Sequence, residues 1–282
     1  MAAAKAVGEV AILNSGDSSL QSLPSAVELS RQLQKLMLNI KGNFISHEGH
    51  EVDYAALKHS DLFREYVERT KALKVVDLGS LERKEKIAFF LNIYNSLTIH
   101  GLAACDTGVP KSVLEINNFW RKTSYNIGGY VFSLDDIEHG ILRGNRPHPS
   151  DAKPLFAEDD SRLQFAVSEV DPRIHFALVC GAKSCPAINV FSAKNLDFAL
   201  QAAAQNFCSQ EVCVDDSKVT LSKIFLWYKA DFGSTEKECL RWISQHLPEE
   251  EQKKLNSLLE HPTSLIKISY NDYNWNLNGS KL

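Results

Sequence analysis

The stretch Ile87-Ala-Phe-Phe-Leu-Asn-Ile-Tyr-Asn-Ser-Leu-Thr-Ile-His100 decides the fold of this chain. It lies inside a predicted helix that runs from Leu81 to about Ala104, with Ser80 as the capping residue. Lysine and glutamate are confined to the start of this helix, and from Ile87 onward apolar side chains surround it on every side. A helix that is apolar all round is a buried one, so we expect the rest of the chain to pack around it.

Asn92, Asn95 and His100 are polar side chains within this apolar helix. A buried polar group without a partner costs about 1–3 kcal/mol, so each of these side chains needs one. At 100° per residue, Asn95 lies about 60° to one side of Asn92, and His100 lies about 80° to the other side. The spacing predicts one polar strip along the helix, inside the core.

Composition and charge are those of an ordinary globular protein. The chain has 282 residues, of which 44% are hydrophobic and 23% are charged, and its formal net charge is −4. The longest apolar runs have five residues. A membrane span needs about 20, so we expect none. The slight acidic excess argues against a general nucleic-acid binder.

The cysteines and the N-terminus predict the compartment. Six cysteines occur between Cys105 and Cys239, and a chain of this length builds a core without disulfide staples. We therefore expect free thiols in a reducing environment. Residues 1–9 contain no apolar segment of the kind that directs export. Both features favour a cytoplasmic protein.

The chain divides into three parts by its sequence pattern. Residues 1–24 are small and polar without a period, which predicts a disordered leader. An N-terminal helix follows over 25–44, because Ser25 and Glu28 form a capping box ahead of a helical apolar stripe. No linker or repeat divides the remainder, so residues 45–282 are predicted to form a single domain.

Within that domain, short β-runs alternate with helices. Two runs flank Gly128-Gly129, which predicts a hairpin. The nearly continuous apolar run Arg173–Cys180 predicts a buried central strand. Other predicted elements are a helix over Leu134–Arg143, a loop over 144–161, a helix over Ala193–Phe207, a second hairpin over 212–221, helices over 223–232, 235–246 and 249–260, and a strand over Leu265–Tyr270. We expect an α+β fold in which helices pack around a small, mostly antiparallel sheet with one buried central strand.

Cys185 is the leading candidate for a reactive group. It lies in the small-residue loop Gly181–Pro186 directly after the predicted strand, and such a loop presents a side chain on a rigid scaffold. Because Pro186 favours the first turn of a helix, we expect Cys185 at a helix N-cap, where the dipole and Lys183 favour the thiolate. Cys180, within the strand, is the second candidate. A structural thiol at a tight turn is the alternative.

A nucleophilic cysteine needs a base, and the base needs an orienting group. The histidines in ordered apolar segments are His139, His175 and His100. Glu138 lies beside His139, and a carboxylate there would orient the ring. Each histidine also has a structural interpretation, as a core residue with satisfied hydrogen bonds. No Cys-x2-Cys or His-Glu-x-x-His spacing is present, so the sequence predicts no metal site and no cofactor.

Several long motifs are similar to one known family. They are Val52–Leu57, Ala88–His100, Ser133–Arg143, His175–Pro186, Leu221–Phe232 and Tyr273–Asn278. In this order they resemble the domain of unknown function 547 over about residues 45–280. The resemblance brings no established activity. It implies a map of motif positions, namely Asn92, Asn95, Glu138, His139, His175, Cys180, Ser184, Cys185 and Pro186.

Two hypotheses of function follow. In the first, the protein is a cysteine-dependent hydrolase or acyltransferase acting on a small molecule or peptide. Cys185 attacks a carbonyl group, His139 or His175 is the base, and Glu138 orients that base. Asn92 or Asn95 holds the base or the oxyanion. The substrate-binding residues predicted are Asn95, His100, Lys183, Ser184 and Cys180.

The second hypothesis is a non-enzymatic protein-interaction scaffold. Its polar strip satisfies itself inside the core, and the aromatic C-terminal segment 270–278 or the loop 144–161 binds a partner protein. A buried polar network without a neighbouring cavity favours the scaffold. A cleft that brings Cys185 close to an imidazole favours the enzyme.

Overall fold

A computed structural model describes residues 10–17, 24–105, 108–260 and 266–280. Its α-helices are α1 (Ala26–Phe44), α2 (Tyr54–Lys58), α3 (Asp61–Thr70), α4 (Arg83–Ala103), α5 (Phe119–Lys122), α6 (Leu196–Glu211), α7 (Lys223–Trp227), α8 (Lys229–Phe232), α9 (Glu236–Ser244) and α10 (Glu249–Glu260). Its strands are β1 (Ala11–Ile12), β2 (Thr123–Ile127), β3 (Tyr130–Ser133), β4 (Cys213–Val214), β5 (Lys218–Leu221) and β6 (Lys267–Tyr270). Shorter 3-10 helices lie at Lys71–Val75, Leu78–Ser80, Val113–Glu115, Ser161–Phe165 and Pro172–Phe176, and a π-helix at Asp136–Leu142. The α+β class is confirmed.

The central helix α4 is buried along most of its length, as its sequence predicts. Its start differs from the prediction. Ser80 ends a 3-10 turn instead of capping the helix, and α4 begins at Arg83 after Glu82. Glu82 and Glu85 form the capping box, in which the Glu85 carboxylate accepts the backbone N–H of Glu82 at 3.0 Å. In a capping box the N3 glutamate accepts the backbone N–H of the capping residue, so here the cap lies two residues after the predicted Ser80.

The N-terminal helix α1 confirms the predicted amphipathic pattern. The Ser25 hydroxyl accepts the backbone N–H of Glu28, and the apolar stripe faces the core. Ahead of α1, residues 10–17, which the sequence predicts as part of a disordered leader, contain the short strand β1, and most of their side chains are exposed. Strand β1 pairs in parallel with β2, and the buried Asn14 donates to the backbone of Thr70 and Asn126. The rest of the predicted leader, residues 1–9 and 18–23, lies outside the described residues.

The strands form two small sheets, where the sequence predicts one. In the first, β1 runs parallel to β2, and β2 and β3 form the predicted antiparallel hairpin around Gly128-Gly129. In the second, β4 and β5 form the other hairpin, and β6 lies parallel to β5. Each sheet is therefore mixed. Aromatic side chains of the segment near 176 and of α6–α9 build a second hydrophobic cluster beside the larger one around α4.

The prediction of a buried central strand over Arg173–Cys180 is wrong. The segment begins as a 3-10 helix at Pro172–Phe176 and continues without regular structure to Cys180. The apolar run is buried as expected, but Asn95 takes the place of a neighbouring strand. Its side chain donates to the carbonyl of Ala177 at 2.8 Å and accepts from the amide of Val179 at 2.9 Å. Burial alone therefore does not require a sheet when a side chain satisfies the backbone.

Among the residues described, the structure holds no helix with both the length and the hydrophobicity to traverse a lipid bilayer.

Candidate functional site

A cavity of about 670 Å³ lies where the π-helix, the turn 180–186, α7 and the C-terminal segment 273–275 meet. Part of its wall is aromatic, and the Trp275 ring lies 6.0 Å from Trp120 and 5.7 Å from Trp227, between centroids. Carboxylates, imidazoles and two thiols complete the lining. The cavity therefore combines an apolar surface with groups capable of chemistry.

The cavity separates the predicted site residues into two groups. Those that line it are Glu138, His139, His175, Cys180 and Cys185. Those that lie elsewhere are Asn92, Asn95, His100, Lys183 and Ser184. The sequence thus places the carboxylate, two of the three imidazoles and both thiols of the predicted site in one cavity.

The two thiols are in direct contact. The Sγ atoms of Cys180 and Cys185 are 3.0 Å apart, and the backbone N–H of Cys180 donates to Cys185 Sγ at 3.2 Å. The Tyr273 hydroxyl lies 3.5 Å from Cys185 Sγ and 3.7 Å from Cys180 Sγ. The predicted helix N-cap at Cys185 is wrong, because Cys185 ends a turn closed by its N–H on Ala182 and no helix follows it before α6.

Hydrogen-bond donors, and not the predicted helix dipole, set the protonation state of Cys185. Burial raises the pKa of this thiol, but the Cys180 thiol, the Tyr273 hydroxyl and the Cys180 amide all donate to it and lower its pKa to about 7. The shared hydrogen bond and burial raise the pKa of Cys180 well above its ordinary value. Cys185 is therefore the thiolate of the pair and Cys180 the thiol.

Glu138 lies on the π-helix, at whose start Ser133 N–H donates to the Asp136 carboxylate and Asp136 N–H donates to the Ser133 hydroxyl. Its carboxylate accepts the hydroxyl of Tyr228 at 2.6 Å and that of Tyr94 at 3.0 Å. Burial raises the pKa of Glu138, but the positive charge available at the neighbouring imidazole and guanidinium groups and the Tyr228 hydroxyl hold it below its ordinary value. Glu138 is therefore ionised, and it binds two tyrosines instead of orienting an imidazole.

His175 is oriented by Asp231, a residue outside the predicted site. The Nε2–H of His175 donates to Asp231 Oδ2 at 2.8 Å. Arg143 binds both oxygens of the same carboxylate at 2.6 and 3.1 Å, and Arg146 adds a contact of 2.7 Å. Burial raises the pKa of Asp231, but hydrogen bonds from His175 and Arg143 hold it well below its ordinary value. Because Nε2–H donates to this carboxylate, Nδ1 is the ring nitrogen of His175 that can accept a proton.

In His139 the proton lies on the ring nitrogen that faces away from its hydrogen-bond partner. The guanidinium of Arg143 lies 2.9 Å from His139 Nδ1, and because arginine only donates, Nδ1 accepts. Burial and the charge of Arg143 lower the pKa of His139 to about 4. The neutral ring therefore carries its proton on Nε2 and acts as a donor, so the geometry favours His175 over His139 as the base.

Asp135, His139 and His148 come closest to a metal-ligand set, with their ligand atoms within 4.8 Å of one another. A metal at His139 Nε2 requires the proton to move to Nδ1, where Arg143 already donates. Arg121 occupies Asp135 Oδ2 at 3.3 Å, while burial and the charge of Glu138 raise the pKa of Asp135 to about 7. These residues do not fit a cation without rearrangement.

Three predicted site residues of α4 have structural partners. Asn92 bonds the backbone of Phe191 in both directions, at 2.7 and 2.8 Å, and Asn95 does the same for Ala177 and Val179. His100 Nδ1 lies 2.8 Å from the Tyr125 hydroxyl, and burial lowers its pKa to about 4. Within the described part of the chain neither asparagine hydrogen-bonds to an imidazole, so the predicted strip consists of separate structural contacts.

The two remaining predictions lie on the outer side of the turn. The side chain of Lys183 is exposed, and its backbone N–H donates to the carbonyl of Asn276. Ser184 Oγ accepts the backbone N–H of Asn274 at 2.8 Å. Both residues fasten the turn to the C-terminal segment, which positions Tyr273 over the thiols.

Four residues that shape this cavity or its support lie outside the predicted site: Tyr94, Tyr228, Asp231 and Tyr273. All four occur inside motifs that carry the family resemblance. Their spacing gave no chemical signal, because each reaches its partner across 44 or more positions of the chain.

The fold and the cavity define an α+β protein that holds an interior cysteine pair beside a buried histidine–aspartate–arginine group. Residues 78–208 match the model of the family described as "Protein of unknown function, DUF547", which confirms the resemblance over that segment. The wider resemblance, over 45–280, stays a prediction outside it. Asp231, Tyr228 and Tyr273 lie beyond the matched segment. No curated protein and no solved structure matches the chain.

Proposed function

We propose that this protein is a cysteine-dependent hydrolase or acyltransferase in which Cys185 is the nucleophile and His175 is the base. The observation that carries the proposal is the set of three donors on Cys185 Sγ inside a cavity that also contains His175. A thiolate held by donors is the reactive form of cysteine. The cavity next to the polar network supports the enzyme over the scaffold.

The thiolate does not depend on an imidazole for its formation. Among the described residues, no imidazole hydrogen-bonds to Cys180 or Cys185, and donors alone lower the pKa of Cys185 to about 7. At neutral pH a large fraction of Cys185 is then ionised without a base in contact. His175 is left to act in the second half of the reaction.

In the proposed reaction, Cys185 Sγ attacks the carbonyl carbon of an ester or thioester. A carbon–sulfur bond forms, the bond to the leaving group breaks, the alkoxide or thiolate that leaves takes a proton from water, and an acyl-enzyme results. Water or an acceptor hydroxyl then attacks this thioester, and His175 Nδ1 takes its proton while Cys185 leaves as thiolate. Asp231 stabilises the imidazolium that forms, through Nε2. The aromatic wall of Trp120, Trp227 and Trp275 suits an apolar acyl group.

The test measures hydrolysis of p-nitrophenyl and thiophenyl esters by the wild-type protein and by Cys185→Ala, His175→Asn and Cys213→Ala. Cys213 is exposed and lies outside the cavity, so its variant controls for the loss of any thiol. We expect Cys185→Ala to lose all activity and Cys213→Ala to match the wild type. The activity of His175→Asn is expected to fall by about 10²-fold or more, which is the contribution typical of a positioned base. Equal activity in Cys185→Ala and the wild type would refute the proposal.

A mass-spectrometric readout separates acylation from turnover. With His175→Asn, the acyl group is expected to stay on Cys185 after the p-nitrophenol burst, because deacylation lacks its base. A burst in which the acyl group is found on another residue contradicts the assignment of Cys185.

A further inference from the structure

The contact between Cys180 and Cys185 has no use in acyl transfer beyond the donor that Cys180 supplies. Their sulfur atoms lie 3.0 Å apart, whereas a disulfide bond is about 2.05 Å long. A displacement of about 1 Å therefore separates the dithiol from the disulfide.

The backbone between the cysteines holds them in this arrangement. The turn is closed by Cys185 N–H on Ala182 O at 3.0 Å, and Gly181 adopts φ +92°. A Cβ atom at Gly181 would lie 2.7 Å from Leu102 Cδ1, so the turn sits directly against α4. The two thiols are thus kept in contact by the packing of the fold.

We propose that Cys180 and Cys185 are a redox pair that a small hydroperoxide, entering the cavity, oxidises to an intramolecular disulfide. Both thiols line the cavity, and Cys185 is the attacking sulfur because three donors stabilise its thiolate. Cys180 is the resolving thiol because it is already in contact with the atom that becomes oxidised.

The chemistry proceeds in two steps. The Cys185 thiolate attacks one peroxide oxygen, the sulfur–oxygen bond forms, the oxygen–oxygen bond breaks, and hydroxide or alkoxide leaves and takes a proton. The Cys180 sulfur then attacks the Cys185 sulfenic acid, the disulfide forms, and water leaves with the Cys180 proton. Two thiols lose two electrons and the peroxide gains them. A small dithiol reverses the change by exchange.

Formation of the disulfide does not depend on the proposed function, but its consequence does. If Cys185 is the nucleophile for acyl transfer, then the disulfide removes that nucleophile and peroxide switches the enzyme off. The pair also protects Cys185 from oxidation to sulfinic and sulfonic acids, which are not reduced by thiols.

The sequence offers a direct test by peptide mapping. Trypsin cleaves after Arg173, Lys183 and Lys194, so Cys180 and Cys185 fall on two different peptides, 174–183 and 184–194. The full-length protein is treated with one equivalent of hydrogen peroxide, its remaining thiols are blocked with iodoacetamide, and it is digested without reductant. We expect a linked pair of these two peptides that separates on reduction, and the loss of two hydrogen atoms from the intact chain.

Two variants keep the test decisive. Cys213→Ser, which removes an exposed thiol outside the cavity, is expected to give the same linked pair. Cys180→Ser is expected to give none, and instead to trap dimedone as a sulfenic-acid adduct on Cys185. The proposal is overturned if wild-type Cys185 ends as sulfinic acid or stays reduced while no linked pair forms.

The same samples separate this inference from the proposed function. A linked pair in a protein whose reduced form hydrolyses no ester refutes the acyl-transfer proposal and leaves the redox pair standing. If the protein still hydrolyses esters after peroxide treatment and all its thiols are still reduced, the redox pair is refuted and the acyl-transfer proposal stands.

Discussion

Two groups of buried polar side chains lie in this protein, and they differ in what they bond. Asn92 and Asn95 bond only backbone atoms of the segments that pack against α4. In the second group, Asp231 bonds the side chains of His175, Arg143 and Arg146. The first group lies away from the cavity, whereas the second includes His175 on its wall.

The difference separates structural from chemical roles. An amide that pairs with a peptide group acts as a missing strand neighbour, and both of its functions are consumed in doing so. The Asp231 carboxylate instead binds two guanidinium groups and an imidazole. It holds these charged groups in place and leaves the second ring nitrogen of His175 able to accept a proton. The sequence alone presents both groups as polar residues in apolar surroundings.

The largest expected effect is that of Asp231→Ala. The Asp231 carboxylate is fully buried, and the Arg143 side chain is only 5% exposed. Removing one partner leaves the other charge uncompensated, which costs about 3–5 kcal/mol. Urea unfolding at pH 7 measures this loss in the free energy of unfolding. Asp272→Ala is the matched control, because Asp272 pairs with Lys223 at the surface and its removal is expected to leave the midpoint unchanged.

The pH dependence of the Asp231 effect has a definite sign. The pKa of Asp231 is lower in the folded protein than in the unfolded chain, so the ion group contributes stability above the unfolded value of about 4. That contribution disappears as the pH falls through the folded pKa. The gap between the wild type and Asp231→Ala is therefore expected to narrow at acid pH, and a gap that widens there would contradict the assignment.

Asn95→Ala is expected to have the next largest effect. It leaves two buried backbone groups, Ala177 C=O and Val179 N–H, without partners, at about 1–3 kcal/mol each, so we expect a loss of about 3 kcal/mol. Asn92→Ala is expected to lose less, because Asn92 is only partly buried. Asn39→Ala, on the exposed face of α1, is the control and should stay within about 0.5 kcal/mol of the wild type.

The asparagine variants also distinguish a brace from a catalytic strip. Asn92 hydrogen-bonds to Phe191 and to no imidazole of the described residues, so folded Asn92→Ala is expected to label with iodoacetamide at Cys185 as the wild type does. An unchanged melting temperature together with lost labelling would show that Asn92 has a functional role. The distinction between the structural asparagines and the group around Asp231 would then not hold.

The sequence predicts the helical core, both hairpins and the chemical members of the cavity, because these depend on local periodicity and on residue type. It misplaces the segment Arg173–Cys180, since a buried apolar run looks the same whether a strand or Asn95 satisfies its backbone. It also misassigns the partner of His175. Glu138 is adjacent to His139 in sequence, but Asp231 reaches His175 from 56 positions away, and only the packing of α8 brings it there.

Tyr228→Phe tests how the Glu138 carboxylate, which lines the cavity, is stabilised. The Tyr228 hydroxyl donates to Glu138 at 2.6 Å, and a hydrogen bond to a charged group contributes about 1.5–3 kcal/mol. We expect a loss of about 2 kcal/mol in thermal or urea unfolding. Tyr130→Phe removes a hydroxyl whose contact with Gln164 is long, at 3.5 Å, and exposed, so it should not change stability. Equal losses in both variants would show that Glu138 does not depend on this donor.

The smallest expected effect is that of Tyr273→Phe, and it concerns reactivity more than stability. Cys185 should label with iodoacetamide with a midpoint near pH 7, whereas burial raises the pKa values of Cys208 and Cys239 to about 12 and 11. Tyr273 is one of three donors on Cys185, at the long distance of 3.5 Å. Losing it is expected to raise the labelling midpoint by about one pH unit, which corresponds to about 1.4 kcal/mol in favour of the thiol.

The sign of this shift follows from which form of Cys185 the hydroxyl stabilises. A hydroxyl that donates to a thiolate lowers the pKa of the thiol, so its removal must raise the midpoint, while the rate of the fully ionised thiolate does not fall because nucleophilicity rises with pKa. Ser184→Ala is the matched control, because it loosens the same C-terminal segment at Asn274 without removing a donor from Cys185. If both variants move the midpoint equally, the position of the segment sets the pKa of Cys185 and the Tyr273 hydroxyl does not.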